Sequence, residues 1–358
     1  VTLELSLSAT RRALPAPAEN AQQRWLERAG SIITLKSGPS FGQGEISPLP
    51  GVNRETLPAC QQAFSSFDLR AIPSALTDLH DFEAELRRAS SAIPRELPAA
   101  RAGFEAALVD LWSRAAGVPA WALLSKTQTP SPRALSALLM GEPEQALAQA
   151  QAAAARGLHC FKFKIGRPHA FERELTALTR LRGEFAPGVR LRLDANRSLP
   201  RAHLAERVQA LLAVGIELFE EPCAPSDLPL LADVALPLAL DESLTELTPA
   251  KLSGVATAPR GVRALVLKPS LVGGISACLD WAAAAESLGL EVILSHAFEG
   301  PLGLALSAAL AIGLGSAPLA HGLDLDGARL ANDALPYFVG GQLLPWSEPG
   351  WGKLGVAP

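Results

Sequence analysis

The sequence is short of charge, of cysteine and of any concentrated basic segment. Charged residues make up 19% of its 358 residues and hydrophobic ones 48%, against roughly 25% charged in an ordinary soluble domain. A disordered chain needs the reverse balance, so disorder is excluded. Net charge is −4 with Lys and Arg scattered, which leaves no footprint for nucleic acid and no basic face for a membrane. The cysteines, Cys60, Cys160, Cys223 and Cys278, form no Cys-x-x-Cys pair. Neither a disulfide scaffold nor a zinc knuckle is expected, and they read as reduced, buried thiols. No basic segment leads into an apolar core near residue 1, so no signal peptide is expected. The longest apolar run, Leu302 to Ala320, is broken by Gly303, Gly313, Gly315 and Pro318 and reads as a buried helix rather than a membrane span. These features place the protein in the cytoplasm.

What is present divides in two. At about 150 residues per domain, the length suits two domains or one barrel with an elaboration. The first hundred residues open with strand-like alternation (Val1, Leu3, Leu5, Leu7). A polar loop, Pro/Ala/Gln-rich around residues 12–24, leads to a second strand, SIITLK, ending near Lys36. A Gly/Pro-rich segment covers Gly38 to Gly51, and helical patterns run from about Glu55 to Phe67 and Ala99 to Leu124. Strands first and helices after is an α+β layout. From about Pro132 the texture repeats: ALSALLM, CFKFKIG, VRLRLDAN, IELFEEP, PLALDES, ALVLKPS, EVILSHAF and LAHGLDL, each separated by Ala/Leu-rich helical sequence. Such alternation implies right-handed crossovers and a parallel sheet, and eight units suggest a closed (β/α)8 barrel. An open doubly wound sheet is the competitor, but no Gly-x-Gly-x-x-Gly or P-loop motif follows any strand,. The expected division is an α+β cap over residues 1–98, a barrel over 99–325, and a segment 326–358 packing back on the cap.

Catalytic groups of a barrel come from the C-terminal ends of its strands. Here those ends carry Lys162 and Lys164, then Asp194, Glu220 and Glu221, Asp241 and Glu242, and Lys268. Alternation puts Lys162 and Lys164 on one face, and likewise Arg192, Asp194 and Asn196. Inward charges are costly unless paired, solvated or metal-bound. Asp194, Glu220 and Asp241, on three successive strands, can converge as an all-oxygen set, which suits Mg2+ better than Zn2+. The lysines lie four strands apart and should face each other across the mouth. Such a site can take a carboxylate and present an amine to either face of its α-carbon. An amine beside a cation and a second ammonium loses its proton more readily, as a base must. Each element alone has a bland reading, a solvated edge or a helix cap; one set per successive strand does not.

The segments GEISPLPG (Gly44 to Gly51), FKFKIG, RLRLDANR, FEEPC, DES, VLKPSLVGG and HGLDL together resemble the enolase superfamily, and within it the o-succinylbenzoate synthases. The likeness covers nearly the whole chain and implies an α+β cap closing over a modified (β/α)8 barrel. It implies a Mg2+-dependent dehydratase of menaquinone biosynthesis, with Mn2+ as a substitute metal and a small carboxylate as substrate. Lys164 would remove the α-proton and return it to the departing hydroxyl, and Lys162 would position the substrate carboxylate. Lys268 would stabilise the enediolate from the opposite face. Asp194, Glu220 and Asp241 would be the metal ligands, Glu220 rather than Glu221 because it opens the Glu-x-Pro motif. Arg192, Asn196, Ser295, Gly322 and Leu49 of the cap loop would contact or support the substrate, with a salt bridge inside the barrel as the other reading of Arg192. His296, His321 and Cys223 read as packing groups. Gly273 and Gly274 read as a turn, with a phosphate site as the weaker alternative. Two rivals follow: an N-succinylamino acid racemase or dipeptide epimerase using both lysines, and a barrel that binds a carboxylate without turnover.

Overall fold

In the computed structural model, the described residues are 3–19, 23–125, 129–185, 188–256, 261–314, 318–324, 337–352 and 354. Three antiparallel strands, β1 (Glu4–Glu19), β2 (Arg24–Ser37) and β3 (Ser40–Ile46), form the N-terminal sheet. The chain expected to loop around residues 12–24 instead prolongs β1 to Glu19, paired with β2 across a register shift between Ala13 and Ala18. Residues 20–22 of that stretch lie outside the described residues.

The Gly/Pro-rich segment also departs from expectation, since half of it is β3. Its glycines serve packing rather than turning. A Cβ on Gly42 would sit 2.2 Å from the Ala107 carbonyl oxygen, and one on Gly44 2.0 Å from that of Gly103. Helix Pro98–Ala116 therefore lies directly on the strand backbone, an approach only glycine permits. This helix is buried along most of its length and stops at Gly117, φ +69°. The Ala99–Leu124 pattern is thus two helices, the second covering Ala120–Leu124. The helix expected over Glu55–Phe67 is reduced to Leu57–Gln62, and Phe82–Ser90 is a helix that the pattern reading missed.

Eight strands follow: β4 (Arg133–Leu139), β5 (Cys160–Lys164), β6 (Arg190–Asp194), β7 (Leu218–Glu220), β8 (Leu238–Leu240), β9 (Val262–Leu267), β10 (Glu291–Leu294) and β11 (His321–Asp324). Each falls on one of the eight β-rich runs. All pair in parallel, β11 returns to β4, and a Ser295–Gly322 bridge joins the remaining neighbours. The barrel is closed, which leaves no open edge. Strand alternation builds two layers. Phe161, Phe163 and Phe219 are buried, with Phe161 packed 5.1 Å from the ring of Phe185 on the outer helical layer. Leu218, Ala239, Ala264, Val266 and Ile293 form a separate apolar cluster among the alternate, inward positions.

The run after Leu302 is the helix Pro301–Gly313, buried from Leu302 to Gly313. Beyond it, β12 (Phe338–Val339) and β13 (Gln342–Leu343) form a hairpin laid antiparallel on β4. The chain then returns to the N-terminal sheet. Trp351 donates its indole N–H to the Gln43 carbonyl at 2.8 Å and its backbone N–H to Asp110 at 3.0 Å. Residues 325–336, 353 and 355–358 of the C-terminal segment lie outside the described residues. No described helix is long and apolar enough to cross a membrane.

Candidate active site

Register brings the charged residues together. Lys164 is the Cα partner of Asp194, and Asp194 of Glu220, across β5, β6 and β7. Asp241 and Lys268 directly follow β8 and β9. Lys162 Nζ donates to Glu220 at 3.1 and 3.2 Å and lies 3.4 Å from Asp194 Oδ2. Lys164 Nζ is 2.7 Å from the same Asp194 oxygen and donates to Asn196 Oδ1 at 2.8 Å. Lys268 pairs with Asp241. Its strand, β9, stands four places from β5 in the ring, so Lys268 and Lys164 flank the carboxylates from opposite walls.

Burial sets the electrostatics. It works against the charge of Asp194, yet Lys164, Lys162 and Lys268 outweigh it and hold that carboxyl below the usual range. Burial, then the charge of Asp194, pushes Glu220 up to about 8 against the pull of Lys162. Burial and the neighbours Glu242 and Asp194 likewise raise Asp241. Desolvation disfavours charge on Lys162 and Lys268, but the carboxylates overcome it and shift both upward. A lysine eased toward neutrality was expected here; surrounded by acids, these two are held as ammonium ions.

Among the described residues, no three His, Cys, Asp or Glu side chains form a ready-made cation cage, because each of these carboxylates leans on a lysine. The donor set still fits a hard divalent cation. It is all oxygen and stands on adjacent strands, and Asp194 Oδ2 is buried without a directed hydrogen bond despite its close ammonium,. Asp194, Glu220 and Asp241 are the residues that could hold such an ion.

Glu221 serves differently from its neighbour. It accepts the backbone N–H groups of Asp241 and Ser243 at 2.9 and 2.8 Å and pairs with Arg197 at 3.0 Å. It fixes the turns after β6 and β8, which leaves Glu220 as the inward carboxylate.

Ser295 and Gly322 stand where β10 meets β11, and a Cβ on Gly322 would lie 2.9 Å from Ser295 Oγ. Leu49 packs in an apolar cluster with Ala18, Trp25 and Ala297, flanked by Leu14, Val52, Leu271 and Phe298. The N-terminal sheet thus meets the loops after β9 and β10 beside the mouth. Polar ties hold that seam. Arg12 and Arg28 donate to the Phe298 carbonyl, both at 3.2 Å, and Arg28 also reaches Pro48 at 3.1 Å. Glu45 accepts from Gly300 at 2.8 Å and Gly303 at 3.2 Å, capping helix Pro301–Gly313. Asn53 accepts from the Leu49 N–H at 2.8 Å and donates to the Ser270 carbonyl at 3.0 Å. None of these ties was legible as a motif, because each joins residues far apart in the chain.

Arg192 corrects the expectation of a substrate contact. Its guanidinium turns toward the N-terminal end of the barrel, donating to Glu217 at 2.5 Å and to the Ala320 carbonyl at 2.6 Å. These partners directly precede β7 and β11, so the alternative salt bridge is the observed arrangement. Asn196 touches Lys164 and Glu242. Glu242 was named among the charged strand ends but given no role; its signal is its place after Asp241. The histidines and Cys223 are packing groups. His321 Nδ1 accepts the Leu294 N–H at 3.0 Å, and burial brings the ring down to about 3. His296 Nδ1 accepts the Phe298 N–H at 3.0 Å, and Cys223 is buried. The phosphate alternative at Gly273–Gly274 is overturned. Helix Gly274–Ser287 already receives the Glu105 carboxylate at its N-terminus, with the Ser276 N–H at 2.9 Å.

Comparison with known proteins agrees with this geometry. Residues 145–353 match the enolase C-terminal domain-like family, and residues 18–109 match the MenC N-terminal domain. The o-succinylbenzoate synthase of Yersinia enterocolitica is 32% identical over 294 residues, 81% of this chain and 80% of that protein. A dipeptide epimerase from Methylococcus capsulatus, complexed with Mg and the dipeptide L-Arg-D-Lys, superposes with a TM-score of 0.82 at 24% identity, covering 98% of this chain and 99% of that one. An N-succinyl Arg/Lys racemase from Bacillus cereus gives 0.81 at 19% identity, covering 98% and 94%. At those identities the two structures speak to the fold alone. The chain belongs to the o-succinylbenzoate synthase family of the enolase superfamily and is an enzyme of the lyase class.

Proposed function

We propose that this enzyme dehydrates 2-succinyl-6-hydroxy-2,4-cyclohexadiene-1-carboxylate to o-succinylbenzoate, in the cytoplasm and as a step of menaquinone biosynthesis. The observation that carries the reading is the placement of Lys164 and Lys268 on opposite walls with Asp194, Glu220 and Asp241 between them. Those carboxylates would hold Mg2+, which Mn2+ could replace; when bound, it supplies positive charge that favours ionisation next to the substrate carboxylate. Lys164 Nζ, as the free amine, takes the α-proton. The electron pair left on carbon forms the new ring double bond as the C–O bond breaks. The proton on Lys164 passes to the departing hydroxyl, which leaves as water, and the ring becomes aromatic. Lys162 draws the substrate carboxylate toward the floor of the mouth. Lys268 presents an ammonium to the far face, where it stabilises developing negative charge and then contacts the aromatic ring. Ser295 and Gly322 would receive the succinyl part, and Leu49 would close over it.

The second reading, racemisation of N-succinylamino acids, uses Lys164 and Lys268 as bases on opposite faces. The fold-level likeness to a racemase supports it less than the family likeness supports dehydration. Purified protein with Mg2+ and the cyclohexadiene substrate, followed by absorbance, should form o-succinylbenzoate and stop on addition of EDTA. No product, together with α-proton exchange of N-succinylamino acids in deuterated water, would move the activity to racemisation.

A further inference from the structure

We propose that Glu242 is a positioning residue that sets Lys164 for proton transfer by orienting the Asn196 amide between them, an inference that rests on Lys164 being the base. Lys164 Nζ donates to Asn196 Oδ1 at 2.8 Å, beside its ion pair with Asp194 at 2.7 Å. On its other end, Asn196 Nδ2 donates to Glu242 Oε1 at 2.7 Å. An amide has two ends of nearly equal shape and opposite polarity, and its network decides which faces which way. An ionised carboxylate can only accept. Glu242 therefore selects the orientation that turns Nδ2 toward itself and the accepting oxygen toward the lysine. While Lys164 is an ammonium ion it draws the same oxygen; once the amine is neutral and able to accept, Glu242 is what keeps the donor end of the amide turned away from it.

Two further observations support this chain of contacts. Asn196 and the next residue both adopt left-handed backbone, φ +43° and +62°, a conformation that non-glycine residues hold only when their surroundings enforce it. Arg197 supplies the enforcement, bonding Glu221 at 3.0 Å, Glu246 at 2.7 Å and Ser243 Oγ at 2.9 Å. The turn that aims Asn196 at the mouth is thus built against its own preference. Glu242 in turn is half-buried, and its second oxygen, Oε2, is buried with no hydrogen-bond partner among the described residues. A carboxylate left half-satisfied in the interior is a poor structural brace. Among the described residues, its directed side-chain bond goes to Asn196.

A simpler role would be charge balance, because Glu242 also lies near Lys268 and Lys164. The two roles separate in a double-mutant cycle read with saturating Mg2+ and the dehydration substrate. Glu242→Ala and Asn196→Ala should each lower kcat by roughly 10–100-fold, leaving KM unchanged. The double variant should be no slower than Asn196→Ala alone, and Glu242→Gln, which keeps an acceptor, should recover most of kcat. α-Deuteration of the substrate should slow Glu242→Ala more than wild type. Full activity in Glu242→Ala, or a double variant slowed by the product of the single effects, would overturn the proposal. If Glu242→Ala does not fold, the cycle of Glu242→Gln with Asn196→Ala decides it: any loss in Glu242→Gln must vanish in the Asn196→Ala background. Wild-type protein that forms no product would overturn the base assignment, whereas active wild type with additive variants would overturn this inference alone.

Discussion

Strand β6 carries Arg192 and Asp194 two residues apart on one inward face, yet the two ends of the barrel put them to opposite uses. At the mouth, Asp194 joins Glu220 and Asp241 in a crowd of carboxylates that three lysines only partly satisfy. Burial, and after it the charge of Asp194, pushes Glu220 up to about 8. Toward the floor, Arg192 meets Glu217 and a backbone carbonyl, and His321 is kept neutral with its Nδ1 bonded to Leu294. Like charges crowded together mark a site that exchanges protons or ions; opposite charges matched with each other mark a joint. Height along the strand separates the two, and residue type does not.

The comparison is open to attack at both ends. The largest effect on stability is expected at the floor. Arg192→Met removes the buried partner of the part-exposed Glu217, which keeps Arg190 at 3.5 Å, and should cost about 1.5–3 kcal/mol in denaturant unfolding,. A smaller effect is expected at the seam between the N-terminal sheet and the barrel. Glu45→Ala uncaps helix Pro301–Gly313 and should cost about 0.5–2 kcal/mol, with KM rising as the loop after β10 loosens. A loss in kcat with no change in stability would show that the seam belongs to the chemistry.

A third effect is graded with pH. Burial brings the His321 imidazole down to about 3 in the folded protein, from an ordinary value near 6.5. Between those values the unfolded chain binds the extra proton, so this contribution to stability is complete above pH 6.5. It is lost as pH falls toward 3, at no more than about 1.4 kcal/mol per pH unit. Glu45 and Glu105, raised by burial, act in the opposite sense, their share falling as pH rises through their folded values. The difference between wild type and His321→Asn isolates the histidine: unfolding free energies should differ less at pH 4.5 than at pH 7. A pH-independent difference would mean that the imidazole is not held neutral.

How much of this was legible in the sequence follows the same division. All eight barrel strands were readable, because a parallel strand is short, β-rich and punctuated by helical sequence. The mouth was readable too: Lys162, Lys164, Asp194, Glu220, Asp241 and Lys268 sit one set per strand end, so spacing in the chain translates directly into placement. β3 was missed because Gly42 and Gly44, which usually signal turns, here admit a helix against a strand. Arg192 was misplaced because alternation tells which face a side chain is on but not which way along the barrel a long one bends. Arg28 and Glu45 were passed over, and Glu242 was named without a role, since their partners are distant in the chain or follow the turn conformation.

The most direct test measures kcat and unfolding free energy side by side for Lys164→Met at the mouth and Arg192→Met at the floor, with Mg2+ and the dehydration substrate. Lys164→Met should lose roughly 10²–10⁴-fold in kcat while remaining folded. Arg192→Met should lose stability and keep, in its folded fraction, a kcat close to wild type. The reverse pattern, or equal loss of activity in both, would contradict the division of the barrel into a reactive mouth and a structural floor.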